Sequence, residues 1–272
     1  MSRALHIYLV RMSTNVALKP RILHRVIIYN MQFTFGIITA GDNDHYINET
    51  VLSIINNNIP EYEIIIVGNS KIEKSDKIKI IEFDESIHAG WITKKKNIIV
   101  QNAMYENVVL LHDYIKLDDK WYEGFLKFGD NYDWCVTRII NQDGNRFRDY
   151  TLFYLKTDGI VHYENDDYFS NFCLLPYDFE NNMKTNTCMY ISGSYYVIKK
   201  SVALKHPLDE RLMHCGGEDL EYSDRLHSNG IIIKCNAHSA VHFLKQKGQC
   251  HWEREMDTDH LNKYINYCNL HY

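Results

Sequence analysis

The chain has no Cys-x-x-Cys pair, no long apolar run and no excess of cations. Its seven cysteines (135, 173, 188, 215, 235, 250 and 268) are odd in number and widely scattered, which argues against a disulfide framework and for reduced, mostly buried thiols in a reducing, cytoplasmic compartment. No window approaches the roughly 18 uninterrupted apolar residues of a membrane helix, so no integral membrane segment is expected. Net charge is −5, so there is no overall excess of cations to neutralise a nucleic-acid backbone, which argues against nucleic acid as a partner. Residues 1–31 lack acidic side chains, but Arg11, Lys19, Arg21 and Arg25 interrupt the apolar stretch a secretory signal needs, so this segment reads as a basic N-terminal extension.

What is present is ordinary for a globular protein: 272 residues, 45% hydrophobic and 24% charged, enough for one large α/β core. From Phe33 an alternation of apolar runs and helical patterns begins. Strands are expected at 33–39, 63–67, 77–83 and 108–111, with helices at 46–57 and 91–105, the first presenting Ile47, Val51, Ile54 and Ile55 on one face. Continuous Ile/Val runs separated by helices imply parallel strands covered on both faces. In such sheets ligands bind beyond the carboxyl ends of the strands, where Thr39, Asn69 and His112-Asp113-Tyr114 all fall. The second half is less regular: strands at 132–140, 189–198 and 231–243, a helix at 218–228, and between them an aromatic, polar excursion from 141 to 184 that reads as a functional loop or insertion. Residues 245–272 read as a tail packing near the site.

Two constellations carry chemistry. Leu110-Leu111-His112-Asp113-Tyr114 is a buried strand delivering a carboxylate and an imidazole at its end, a plausible cation ligand that is otherwise a turn residue or cap. Gly216-Gly217-Glu218-Asp219 follows His214 and Cys215: glycines permit close approach to a substrate, and acids opening a helix are favoured by its dipole. Capping and a Glu221–Arg225 pair explain part of that segment, but the Gly-Gly-Glu-Asp cluster points to a catalytic carboxylate. Cys235, His238 and His242, followed by Cys250 and His251, form a weaker zinc candidate, because zinc ligands sit on tight turns whereas the first three fall in a strand. Among the tryptophans, Trp252 stands in a polar setting as a lid and acceptor-binding candidate, while most of the other aromatics read as core.

These constellations, with the strand and helix order around them, resemble nucleotide-sugar-dependent glycosyltransferases of the GT-A fold, closest to family 2. The resemblance runs from roughly Gln32 to Phe243 and sets a domain at 32–244. Phe35 to Gly41 looks like that family's opening strand, Glu63 to Ser70 like its second strand and nucleotide-reading turn, His112-Asp113-Tyr114 stands at its Asp-x-Asp metal site, and Glu218-Asp219 matches its Glu-Asp motif. It implies an α/β fold, a Rossmann-like mixed and mainly parallel sheet flanked by helices, with a variable acceptor-side second half. It further implies inverting, metal-assisted transfer from a UDP-sugar to a hydroxyl acceptor, carbohydrate above all. Residue by residue, Thr39, Ala40, Gly68, Asn69, Lys96, His112 and Asp113 would bind the nucleotide. Asp113, with His242, would hold Mn²⁺ or Mg²⁺; Asp219 would be the base, helped by Glu218; and Gly216 and Gly217 would meet the acceptor. A homodimer stays open. The chain departs from the pattern in carrying Gly68-Asn69 for an acidic pair, Lys96 for arginine and one metal-motif aspartate for two. That thinning keeps a second reading alive, a degenerate domain that binds a nucleotide sugar or glycan without turnover. Nucleotidyl transfer is disfavoured, since Ala40-Gly41-Asp42-Asn43 is not a basic phosphate loop.

Overall fold

The computed structural model describes residues 30–152, 173–213, 216–248 and 254–271. In chain order, β1 (Phe33–Ile38), α1 (Asp44–Asn56), β2 (Tyr62–Val67), β3 (Ile78–Ile81), α2 (Ile92–Asn102) and β4 (Asn107–His112) form the first half. β5 (Ile115–Leu117), α3 (Trp121–Phe128), β6 (Trp134–Ile140) and the short strands β7 (Thr151–Leu152), β8 (Cys173–Leu174) and β9 (Met189–Tyr190) follow. Then come β10 (Tyr195–Lys199), α4 (Lys200–Lys205), α5 (Glu218–Ser228), β11 (Ile233–Phe243), β12 (Arg254–Glu255) and α6 (Thr258–His271).

The main sheet has the order β3-β2-β1-β4-β10-β6-β11-β5. β3, β2, β1 and β4 run parallel, β10 is antiparallel to β4 and β6, β11 is parallel to β6, and β5 closes the edge antiparallel to β11. A second small sheet runs β12-β8-β7-β9. The central strands are apolar throughout because both faces are covered. In β2, Ile64 and Ile66 belong to one buried cluster with Phe33, Phe35, Ile47 of α1 and Trp121 of α3, whereas Ile65 and Val67 belong to the cluster on the other side of the sheet, with Ile99 of α2 and Tyr222 of α5. Each fully buried side chain of this size contributes roughly 1.5–3 kcal/mol, so the four parallel strands form the rigid platform for the site.

Several expectations shift. Ile55 is exposed, so the buried face of α1 is Ile47, Thr50, Val51 and Ile54. The expected strand over 189–198 is two strands in different sheets, because Ser192-Gly193-Ser194 turns the chain between them. β5, α3 and α4 were not expected. β11 is bulged between Asn236 and Ala240. Five cysteines among the described residues are free thiols, with Cys135, Cys173 and Cys268 buried. No described helix is long and apolar enough to cross a membrane.

Candidate active site

The register Ile38↔Val67 and Ile38↔His112 brings the carboxyl ends of β1, β2 and β4 level. They open into a cleft of about 270 Å³ lined by Thr39, Ala40, Asp42 and Asn43 after β1, His112, Asp113 and Tyr114 after β4, Lys95 from α2, and Lys245 and Lys247 after β11. Thr39 donates its hydroxyl to Asp113 Oδ2 at 2.6 Å, and Asn43 Nδ2 donates to the same oxygen at 3.0 Å. Gly68 is held at φ 134°, and a Cβ on it would stand 2.2 Å from Thr39 O, so only glycine lets the β2 exit approach the β1 exit this closely. Ala40 and Asn69 are exposed at the rim. His112 Nδ1 lies 3.2 Å from the Tyr114 hydroxyl.

A second cluster sits at the start of α5. Asp219 Oδ2 accepts from the Tyr190 hydroxyl at 2.8 Å and from Gly193 N at 3.1 Å, and Oδ1 accepts from Leu220 N at 3.0 Å. Burial, reinforced by the charge of Asp219, pushes the Tyr190 phenol well up and keeps it a donor. Glu218 is buried; burial and the neighbouring Asp219 raise its carboxyl above the usual range, while Lys96 pulls it back. Lys96, 1% exposed, donates to Gly193 O at 2.5 Å. A Cβ on Gly193 would meet Glu218 Oε1 at 3.0 Å and Asp219 Oδ2 at 3.3 Å, so this glycine is the contact point of the acid pair. Gly217, in the left-handed region at φ 73°, starts the helix, and Gly216 N closes a turn onto Met213 O at 2.8 Å. The cluster and the cleft share one strip of backbone: Gly193 N binds Asp219, and the next residue accepts from His112 N through Ser194 O at 3.1 Å.

The structure thus places Asp113 and Asp219 at the two ends of a Gly193-Ser194 bridge. Lys96 stands with the acid pair, and its neighbour Lys95 lines the cleft, donating to Thr39 O at 2.8 Å and pairing with Glu85. Lys95, Lys245 and Lys247 in the cleft and Tyr190 and Gly193 at the acid pair are site residues that no sequence motif marks. The run Lys94-Lys95-Lys96 was a visible signal for the first; the others carry none that is local. Trp121 and Trp134 are core, as expected. Trp252, His214, Cys215, Cys250 and His251 lie outside the described residues, as do 1–29 and 153–172.

His242 does not join Asp113. Strand pairing sets it opposite Lys116, and its Nε2 lies 3.1 Å from Asp118 Oδ2. The zinc candidate is likewise dispersed: the β11 bulge intervenes between Cys235 and His242, and burial pushes the Cys235 thiol far up, against the thiolate a metal needs. Among the described residues no three His, Cys, Asp or Glu side chains gather to hold a metal ion. Around Asp113, whose Oδ2 already accepts from Thr39 and Asn43, the cleft is lined by one further carboxylate, Asp42, by His112 and by three lysines, Lys95, Lys245 and Lys247. That set does not fit a divalent cation, which takes several oxygen ligands.

No family model matches the chain, and no curated protein matches it. Solved structures do match. Residues 1–349 of S. aureus TarS align with TM-score 0.50 at 13% identity over 77% of this chain and 60% of that one. The same protein in complex with UDP-GlcNAc aligns with TM-score 0.52 at 14% identity over 80% and 60%. GalNAc-T7 with UDP, GalNAc and Mn²⁺ aligns with TM-score 0.54 at 13% identity over 82% of this chain and 44% of that one. The chain therefore spans less than two thirds of the length of these solved structures, and at such identities the likeness is one of fold: a mixed, mainly parallel sheet flanked by helices, of GT-A type.

Proposed function

We propose that the protein is a family 2-like inverting glycosyltransferase that moves a hexosyl group from a UDP-sugar to a hydroxyl of a glycan, lipid or protein. The observation that carries this is the Asp219 carboxylate, fixed at the end of a nucleotide-type sheet by three donors. A carboxylate offers about four lone-pair positions, so the Tyr190, Gly193 and Leu220 bonds orient the group and leave one position for an incoming hydroxyl. The GT-A fold, and neighbours solved with UDP-GlcNAc or with UDP and GalNAc, support a nucleotide sugar as the donor.

In the reaction the acceptor oxygen bonds to the anomeric carbon from one face. The bond from that carbon to the diphosphate oxygen breaks on the other, its electron pair leaving with UDP, and the acceptor proton passes to Asp219. Lys96 balances the charge of Glu218 and Asp219, and the Thr39, Gly68 and Asn69 rim receives the nucleoside. General base catalysis supplies about 10²–10⁴-fold, so Asp219→Asn is expected to lower turnover by that factor while UDP binding by calorimetry stays within about twofold of the parent. A variant that transfers sugar at the parental rate overturns the assignment. UDP-sugar hydrolysis separates this reading from a binding module, which leaks no sugar to water.

A further inference from the structure

We propose that Lys96 is the positioning residue of the catalytic base and not a ligand of the nucleotide: its buried ammonium grips the backbone that orients Asp219 and keeps that carboxylate ionised beside Glu218. The inference rests on the transferase reading above and says what makes its base competent at neutral pH.

Lys95 and Lys96 are neighbours on α2, and successive helix residues point about 100° apart, so the two ammonium groups serve different places. Lys95 lines the cleft and donates to Thr39 O. Lys96 is 1% exposed, its Nζ donates to Gly193 O at 2.5 Å and lies 5.3 Å from the ring centroid of Tyr196 in β10. An ammonium enclosed in this way is out of a nucleotide's reach. Gly193 is the joint between lysine and base. Its carbonyl takes the ammonium, its amide donates to Asp219 Oδ2 at 3.1 Å, and its missing Cβ leaves room for Glu218 Oε1. On either side the Ser192 and Ser194 hydroxyls bond to each other at 2.8 Å, which holds the turn in shape.

Charge is the second part of the role. Two adjoining carboxylates, one of them buried, resist being ionised together. Of the groups that face them, Tyr190 of β9, Tyr196 of β10 and Tyr222 of α5 are phenols that burial keeps protonated, and they add no charge. Arg148, on the segment between β6 and β7, bears on Tyr190. Lys96 bears on Glu218 and Asp219 both, and although burial lowers its pKa to about 8 it is charged at neutral pH. Enclosing an ammonium is costly, and a neutral N–H donor would bond to Gly193 O without that cost. The positive charge is therefore what the acid pair gains from a lysine at this place.

The test is the pH profile of UDP release to water from UDP-GlcNAc and other UDP-hexoses, in Mg²⁺-containing buffer from about pH 5 to 8, where the base comes into its ionised form. It compares the full-length parent with Lys96→Met, which fills the stem's volume, and Lys96→Gln, which keeps an N–H donor without charge. In both variants the acid limb of the profile is expected to move up by about one pH unit or more, while UDP affinity by calorimetry stays within about twofold of the parent. A rate lowered by the same factor at every pH is what lost packing alone gives, and it overturns the assignment. A loss of UDP affinity of about tenfold or more also overturns it, since it makes Lys96 a nucleotide ligand. Either result with an active parent leaves the transferase reading standing. A parent that releases UDP from none of these donors overturns that reading, and the role of Lys96 with it.

Discussion

Lys96 is a lysine whose ammonium is enclosed by protein, bonded to Gly193 O and flanked by Glu218 and Asp219. Burial lowers its pKa to about 8 from 10.5, against the pull of the two acids. The folded value lies below the unfolded one, so between these limits the unfolded chain binds more protons and stability rises with pH. Below about 8 the group is charged in both states, and the cost of enclosing it is constant. Thermal melts of the parent and Lys96→Met from about pH 7.5 to 9.5 should therefore diverge, the parent gaining Tm relative to a variant that lacks this rise. The window stops short of pH 10 because the buried tyrosines, Tyr195 and Tyr222 among them, are raised by burial and oppose the trend once they ionise. Parallel pH profiles would show that the Lys96 ammonium does not titrate in this range.

α2 is the element that joins the two parts of the site. Its apolar residues Ile92, Ile99 and Val100 meet the sheet, while its polar side chains hold the segment leading toward α5: Thr93 donates to Leu212 O at 2.7 Å, and Asn97 both donates to Leu208 O at 2.9 Å and accepts from Leu208 N at 3.0 Å. Asn97→Ala leaves both Leu208 backbone groups without this partner and is expected to cost about 1–3 kcal/mol in urea denaturation, with faster hydrogen exchange at the Leu208 amide. The same helix shows what a sequence reveals. Its existence was legible from apolar spacing, as were the parallel strands from their unbroken Ile/Val runs. That Lys95, Lys96 and Asn97 are buried was not, since periodicity scores them as surface. β5 has three residues, α3 has no side-chain cap on Lys120, and β9 and β10 read as one run because the intervening Ser192-Gly193-Ser194 turn lies in apolar surroundings. Asp113 and Asp219 stood out through local motifs. Lys245, Lys247, Gly193 and Tyr190 reach the site through contacts distant in sequence, for which a linear pattern has no signal.

At the scale of the molecule, the site depends on how closely α2 lies on the sheet, and one gap sets that spacing. A Cβ on Gly36, in the middle of β1, would fall 2.2 Å from Ile99 Cγ2 and 2.9 Å from Ile99 Cδ1. Ile99 is fully buried, so it cannot swing into solvent. The helix it belongs to places Lys95 on Thr39 O and Lys96 on Gly193 O, one contact on each side of the His112–Ser194 bridge. Gly36→Ala should therefore lift α2 and disturb both halves of the site together, at a cost of about 1–3 kcal/mol for overpacking. Ile99→Ala alone leaves a cavity and should cost about 2–5 kcal/mol. In the double variant the new methyl group occupies part of that cavity, so the two losses should fall short of additivity by roughly 0.5–3 kcal/mol, the range found for residues in contact. Urea denaturation of the four proteins gives the coupling, and UDP titration on the same samples reports whether the lysines return to place. Losses that add to within about 0.5 kcal/mol, the behaviour of independent sites, would mean that α2 is not seated on Gly36 and that the spacing of the site is set elsewhere.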